Sequence, residues 1–378
     1  MDIAELLSGY DRTNLTVGTL GGHSALDITH GAKKYGFHTL AVAAKGRDQT
    51  YVKYYKTRQN RGCIDEVISV NEFQDILSIS SQEMLRKKNT IFVHNRYTSV
   101  YLFDHCQLES DFHVPVFGSR HLICLESSAE PFNQYDLLQK AGIRVPRHFD
   151  KPEDVNGQLA IVKAAEAERS YERAFFLISD HTSWLKEGSR LEVEGKIAKG
   201  WESSPIEEFI VGAPVNFNFF YSPLTGELEL MGTDILRQTN LDGFLHMTSD
   251  QQLKVLDYVD VKMIETGQMA VTVKESLLEK AFDIGERFVK ATQSLPPTID
   301  PGGRGIIGPF ALQGAVVTEK GQEDIIIYDV SFRMPGAPGI IATPYSAYLH
   351  GEPMSMGERI GMELRDALSA NALEKVIT

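Results

Sequence analysis

The chain is poor in cysteine: its 378 residues hold three, Cys63, Cys106 and Cys124. They are scattered, with no CxxC pair and no His/Cys ligand spacing. That excludes a disulfide framework and a structural zinc as organising devices, so three reduced thiols are expected. Positive charge is also short, with 38 Lys and Arg against 51 Asp and Glu and a formal net charge of −13. Such a balance argues against a duplex nucleic-acid binder, which needs clustered Lys and Arg to neutralise phosphates. A small anionic substrate remains open, because a few local cations suffice to hold one. No apolar run reaches the length of a membrane span. The opening "MDIAELLSGYDRTN" lacks the basic flank and apolar core of a secretory signal. The expectation is a cytoplasmic protein acting on small molecules, with neither nucleic acid nor membrane as partner.

What is present is globular. Hydrophobic residues make up 42% and charged residues 24%, and the length suits two or three domains. "NLTVGTLGGHSALDITHGAKKYG" reads as strand, glycine-rich turn and helix. "HTLAVAAKGRD", "EVISVNEF", "TIFVHNRY" and "VPVFGSR" continue as strands separated by helical stretches. This alternation predicts an α/β fold, with residues 1–122 as a Rossmann-like unit around a parallel sheet. Ligands of such sheets sit at the carboxyl ends of the strands. His23, Arg47, His94 and Arg96 fall there.

Further along, "LAIVKA" and "RAFFLIS" read as strands, followed by a polar helical region over about 181–204. "PIEEFIVGAPVNFNFFYSP" reads as two strands around a turn, the second with Val215, Phe217 and Phe219 alternating. "GELELMGTDIL" is expected to be a strand pair. "VKESLLEKAFDIGERFVKATQSL" has the spacing of an amphipathic helix. A hairpin turning at Lys320-Gly321 and a closing helix pair complete the chain.

Four features bear on chemistry, each with an ordinary counterpart. Lys163 ends an apolar strand, where it reaches a phosphate or merely solvent. The loop after such a lysine is usually glycine-rich, since glycine lets backbone close over a phosphate; "AAEAERSYERAFF" has none. Glu207 and Glu208 lie in an apolar run, and strand alternation turns one of them inward, where a carboxylate needs a partner. Gln313 and Asp329 face each other on the hairpin with Arg333 four residues on. Two such oxygens hold Mg²⁺ with nucleotide phosphates, or the group is a surface ion pair. Finally, Gly21-Gly22-His23-Ser24 forms a strand-to-helix turn suited to an anion, with His23 either a ligand contact or a helix cap.

In order, these pieces resemble the archaeal-type formaminoimidazole carboxamide ribotide (FAICAR) synthetases of purine synthesis, members of the ATP-grasp superfamily. The resemblance runs through nearly the whole chain, on "TLGGHSALDITHGAKKYGF", "AAKGRDQTY", "VPVFGSR", "LLQKAGIRVP", "IEEFIVGAPVNFNFFYSPLTGELELMGTD", "NLDGF", "IGPFALQ" and "GEPMSMGERI". It implies an ATP-grasp fold with an N-terminal Rossmann-like domain at 1–122, a small lid domain with its connector at 123–225 and a C-terminal domain at 226–378. It implies that ATP phosphorylates formate and that the amino group of the ribotide AICAR attacks the formyl phosphate, on the route to IMP. His23 and Arg333 would be the catalytic residues. His23, Ser24, Arg96, Thr98, Ser99 and Gln268 would bind the ribotide, and Lys163, Glu207, Glu208 and Gln238 the ATP. Gln313 and Asp329 would hold Mg²⁺, or Mn²⁺ in its place. Relatives form trimers or hexamers, which implies a homo-oligomer.

The departures from the family cluster on the ATP side. The loop after Lys163 is acidic at Glu166, Glu168 and Glu172, with Arg169 and Arg173 as its cations. Gln238 stands where an acid is usual, Asp329 where glutamate is usual, and Gln268 where asparagine is usual. "MPGAPGI" replaces a polar segment after Arg333. Two readings follow: a working ligase on AICAR or a related substrate, and a diverged paralogue that binds the ribotide with little or no ligation.

Overall fold

The computed structural model describes residues 3–102, 107–127, 130–167, 173–259, 261, 265–319 and 321–378. The early alternation of apolar runs and helices builds a parallel sheet of β1 Thr16–Leu20, β2 His38–Ala44, β3 Glu66–Val70, β4 Thr90–Val93 and β5 Val116–Phe117, in the order β3-β2-β1-β4-β5. All of β1 is buried, as a central parallel strand covered on both faces should be. The strand order reverses between β1 and β4, which sets the ligand crevice at their carboxyl ends. The far edge is closed by the end of the chain: the amide of Val116 donates to Thr378 and that of Thr378 to Val116. Beside it the fully buried Arg120 donates to the carbonyls of Phe112, Val114 and Thr378 at 2.5, 2.7 and 2.5 Å.

A second sheet contains β6 His148–Phe149, β7 Ala160–Ala165, β8 Arg173–Ile178 and β9 Ile206–Glu208, ordered β6-β9-β7-β8. The helix His181–Val193, capped by Asp180, covers it through Trp184, which joins Trp201 and Phe176 in a separate small core. The third sheet is antiparallel and ordered β12-β11-β10-β13-β14, from β10 Ala213–Ser222, β11 Glu227–Gln238, β12 Glu265–Val271, β13 Gly308–Glu319 and β14 Gln322–Ser331. Val215, Phe217 and Phe219 face its core, where the helix Leu278–Gln293 sets Phe288 on Phe310 and Phe332. The division expected at 225 falls in the turn joining β10 to β11, two strands of this one sheet.

"GELELMGTDIL" is one long strand, not a pair. Gly232 marks a close approach rather than a turn: a Cβ there would lie 2.6 Å from Ile340 Cβ. The closing helix Met356–Ser369 returns to the first domain and crosses Ala25–Lys34 at glycines, where a Cβ on Gly31 would lie 2.0 Å from the backbone of Gly357. Only one turn, Leu373–Lys375, follows it. Cys63 is free and buried. Cys124 is disulfide-bonded, which corrects the expectation of three reduced thiols, since spacing along the chain carries no information on pairing across the fold. Cys106 and Lys320 lie outside the described residues. Among the described residues no helix is long and apolar enough to cross a membrane.

Candidate active site

After β1 the chain turns at Gly21-Gly22-His23-Ser24. Both glycines are needed there: a Cβ on Gly21 would lie 2.7 Å from the Tyr51 ring, and one on Gly22 2.1 Å from that of Tyr97. Ser24 adopts φ 71° and its hydroxyl donates to the Pro335 carbonyl at 2.9 Å. The turn aims His23 at Glu265, with Nε2 3.1 Å from Oε1. Arg96 opens a short helix capped by Asn95 and pairs with the other oxygen of Glu265. Gln268 donates to Oε1 at 3.3 Å. Three expected ribotide contacts thus meet on a carboxylate that the sequence reading missed. Its one local signal is an acid three residues before Gln268.

Burial raises the Glu265 carboxyl, yet the His23 hydrogen bond and the Arg96 charge hold it below the usual carboxylate range. Thr98 is buried, and its hydroxyl accepts from the Asn95 amide at 3.3 Å, closing the helix cap. His94 is buried as well and donates from Nε2 to the Phe332 carbonyl at 3.2 Å; burial pushes its imidazole down to about 4. It therefore ties the first sheet to β14. Arg47 is exposed and donates to the Tyr101 hydroxyl at 2.5 Å.

Arg333 follows β14 and donates from Nε to Ser99 Oγ at 3.1 Å and to Glu126 Oε2 at 3.2 Å. The other oxygen of Glu126 accepts from the Phe332 amide at 2.8 Å. Glu126 is a second residue that sequence reasoning missed. It locks the guanidinium between the first domain, the connector and the third sheet.

Lys163 projects from β7 to the carboxylate of Glu207, 2.5 Å away on β9, and donates to the Tyr135 hydroxyl at 3.1 Å. Glu207 is the inward member of its pair and is 1% exposed; Glu208 accepts from the Arg147 amide at 3.2 Å. Of the loop after Lys163, Glu168, Arg169 and Glu172 lie outside the described residues. Gln238 ends β11 opposite Glu265 in the register, so it adjoins the His23 group.

Gln313 and Asp329 are direct partners across β13 and β14. The Gln313 amide nitrogen donates to Ser331 Oγ at 3.2 Å. Among the described residues no group of three or more His, Cys, Asp or Glu forms a cage. Two oxygens fit a hard divalent cation whose remaining ligands are phosphate and water.

Family models match two regions: "Protein of unknown function (DUF1246)" at residues 17–149 and "Domain of unknown function (DUF1297)" at 185–378. The chain is 34% identical to the 5-formaminoimidazole-4-carboxamide-1-(beta)-D-ribofuranosyl 5'-monophosphate synthetase of Methanocaldococcus jannaschii, covering 100% of this chain and 99% of that protein. It is 35% identical to the protein of the same description from Methanopyrus kandleri, with the same coverage. The crystal structure of an IMP biosynthesis protein PurP from Thermococcus kodakaraensis superposes with a TM-score of 0.69 at 25% identity, over 96% of this chain and 100% of that one. N5-carboxyaminoimidazole ribonucleotide synthetase from Thermotoga maritima shares the fold, with a TM-score of 0.53 at 16% identity over 92% and 75% of the two chains.

Proposed function

Since the chain belongs to the family of 5-formaminoimidazole-4-carboxamide ribonucleotide synthetases, we propose that it forms FAICAR from AICAR, formate and ATP, as an ATP-grasp ligase of IMP biosynthesis. The observation that carries this reading is the convergence of His23, Arg96 and Gln268 at the strand ends of the first sheet, in a chain that matches the relatives from end to end.

In the first half-reaction a formate oxygen attacks the γ-phosphorus of ATP and ADP leaves. In the second the AICAR amine attacks the formyl carbon, the bond to phosphate breaks, and the nitrogen loses a proton. Catalysis of this kind is positioning and charge stabilisation. Lys163 contacts ATP phosphates, its ammonium aimed by Glu207 and Tyr135. Glu208 completes the nucleotide side with Gln238, which also borders the His23 group as the register partner of Glu265. Arg333, fixed by Glu126 and Ser99, neutralises the acyl phosphate. His23 holds the ribotide, with Ser24, Arg96, Thr98, Ser99 and Gln268 around it. Gln313 and Asp329 hold the divalent cation, Mg²⁺ or Mn²⁺, which when bound neutralises the nucleotide phosphates.

We also propose a cytoplasmic homo-oligomer, a trimer or hexamer. Exposed Leu245, Leu253, Leu256 and Tyr258 on the helical excursion between β11 and β12 support association.

The test is ADP release by the purified protein. The reading expects multiple-turnover ADP release only when ATP, divalent cation, formate and AICAR are all present, with FAICAR formed one for one. AICAR binding without formate-dependent ADP release would assign the chain to the ribotide-binding, non-ligating alternative.

A further inference from the structure

The anion at the centre of the ribotide side belongs to the protein itself. Glu265 receives His23 from the turn after β1, Arg96 from the helix after β4 and Gln268 from its own strand. Its side chain is 13% exposed, and Arg96 and His23 are more open, at 36% and 29%. A cationic fork, an imidazole and an amide N–H around two oxygens is also the donor set that a phosphate monoester takes. A second anion brought to the Arg96 guanidinium and the donors of His23 and Gln268 would be repelled by the carboxylate already there, so carboxylate and ligand phosphate exclude one another. The carboxylate also stands where it can leave. Glu265 is the first residue of β12, next to a register irregularity at Arg237/Gln238, so its departure leaves the rest of the ladder paired.

We propose that Glu265 is an internal anion occupying the place of the ribotide's phosphate, and that substrate binds by displacing it. Glu265 thereby sets the affinity of the site: the His23 donor and the Arg96 guanidinium are held in place until an anion of higher charge arrives. The proposal rests on the reading of His23, Arg96 and Gln268 as ribotide contacts.

The experiment is calorimetric titration of the full chain, as wild type, Glu265→Gln and Glu265→Ala, with AICAR and separately with inorganic phosphate. Melting temperatures check that each variant folds. Displacement expects AICAR to bind both variants at least about tenfold more tightly than wild type, with KM falling by a similar factor. Inorganic phosphate should bind the variants measurably more tightly as well. A carboxylate that only positions His23 and Arg96 gives the opposite sign: weaker AICAR binding in Glu265→Ala, partly restored in Glu265→Gln. That result, or equal affinities throughout, overturns the proposal while leaving the ribotide reading in place. Tighter phosphate binding in the variants with no AICAR binding by any protein would support the displaced anion and remove the ribotide reading.

Discussion

Gly336 abuts the Nδ1–Cε1 edge of the His23 imidazole: a Cβ built on Gly336 would sit 1.7 Å from His23 Cε1. The segment "MPGAPGI", a departure from its family at the level of sequence, is thus the wall against the histidine proposed to hold the ribotide. Gly336→Ala must push the ring away from Glu265. The expected outcome is a rise in KM for AICAR of about tenfold or more, since small misplacements at a reacting site are costly. ATP binding should stay near the wild-type value. Steady-state kinetics with each substrate varied in turn checks this.

His23→Ala removes the imidazole without moving the turn, whose glycines and Ser24–Pro335 bond remain. AICAR affinity is expected to fall while affinity for a non-hydrolysable ATP analogue stays close to normal. Unchanged AICAR binding by calorimetry would show that the histidine holds the fold and not the ligand.

The Lys163–Glu207 pair makes a prediction about stability. Lys163→Met leaves the buried Glu207 carboxylate without its lysine, with the His148 ring 3.9 Å away as the remaining ion-pair neighbour, at a cost of about 3–5 kcal/mol. Adding Glu207→Leu should return most of that stability, because the charge has gone with its partner. Activity should not return, because the phosphate contact is still missing. Denaturant unfolding of the two variants separates these terms; a double variant no more stable than the single one would refute the buried-charge account.

Burial of His94 predicts an acid limb in stability. The folded imidazole is pushed down to about 4 from 6.5, so above pH 6.5 both folded and unfolded states hold it neutral and the contribution is whole. Below that, the unfolded chain takes up a proton that the folded chain refuses, and about 3 kcal/mol is lost by pH 4. His94→Gln should flatten that stretch of a melting-temperature profile. An identical slope in the variant would place the acid sensitivity elsewhere.

Asp329→Asn keeps the size of the side chain and removes its charge opposite Gln313. Metal-dependent ADP release should be abolished, with AICAR binding intact. Turnover that survives with its metal dependence unchanged would locate the cation away from this hairpin.

Local geometry was the legible part of the sequence. The turn at Gly21-Gly22 announced itself because only glycine admits the Tyr51 and Tyr97 rings. One of the Glu207/Glu208 pair had to be buried because strand alternation leaves no other choice. Where the reading failed, one signal had two meanings: Gly232 looks like a turn residue and serves instead as a place for Ile340 to approach. Glu265 and Glu126 were illegible for a different reason. Their partners His23 and Arg333 stand 242 and 207 residues away, and the sole local hint, the spacing of Glu265 to Gln268, does not say which distant donor an acid will meet. Thr98, which the family resemblance sets among the ribotide contacts, also closes with its hydroxyl the cap of the Arg96 helix, a role that spacing alone does not announce.

The pairing of Val116 with Thr378 gives this protein an order of assembly in time. The edge of β5 stays open until residues 376–378 arrive to pair with Val116 and Gly118, long after the rest of that sheet has been made. Arg120 waits with it, across 258 residues, for one of its carbonyl partners. At ordinary translation rates that delay is roughly ten to fifty seconds. Through it the nascent domain carries an open sheet edge and an incompletely bonded arginine, the features that invite pairing with a neighbour. Chains stalled short of residue 376 should therefore aggregate or recruit chaperones more than full-length chains do, and equal solubility of the two would show that the edge is protected by other means.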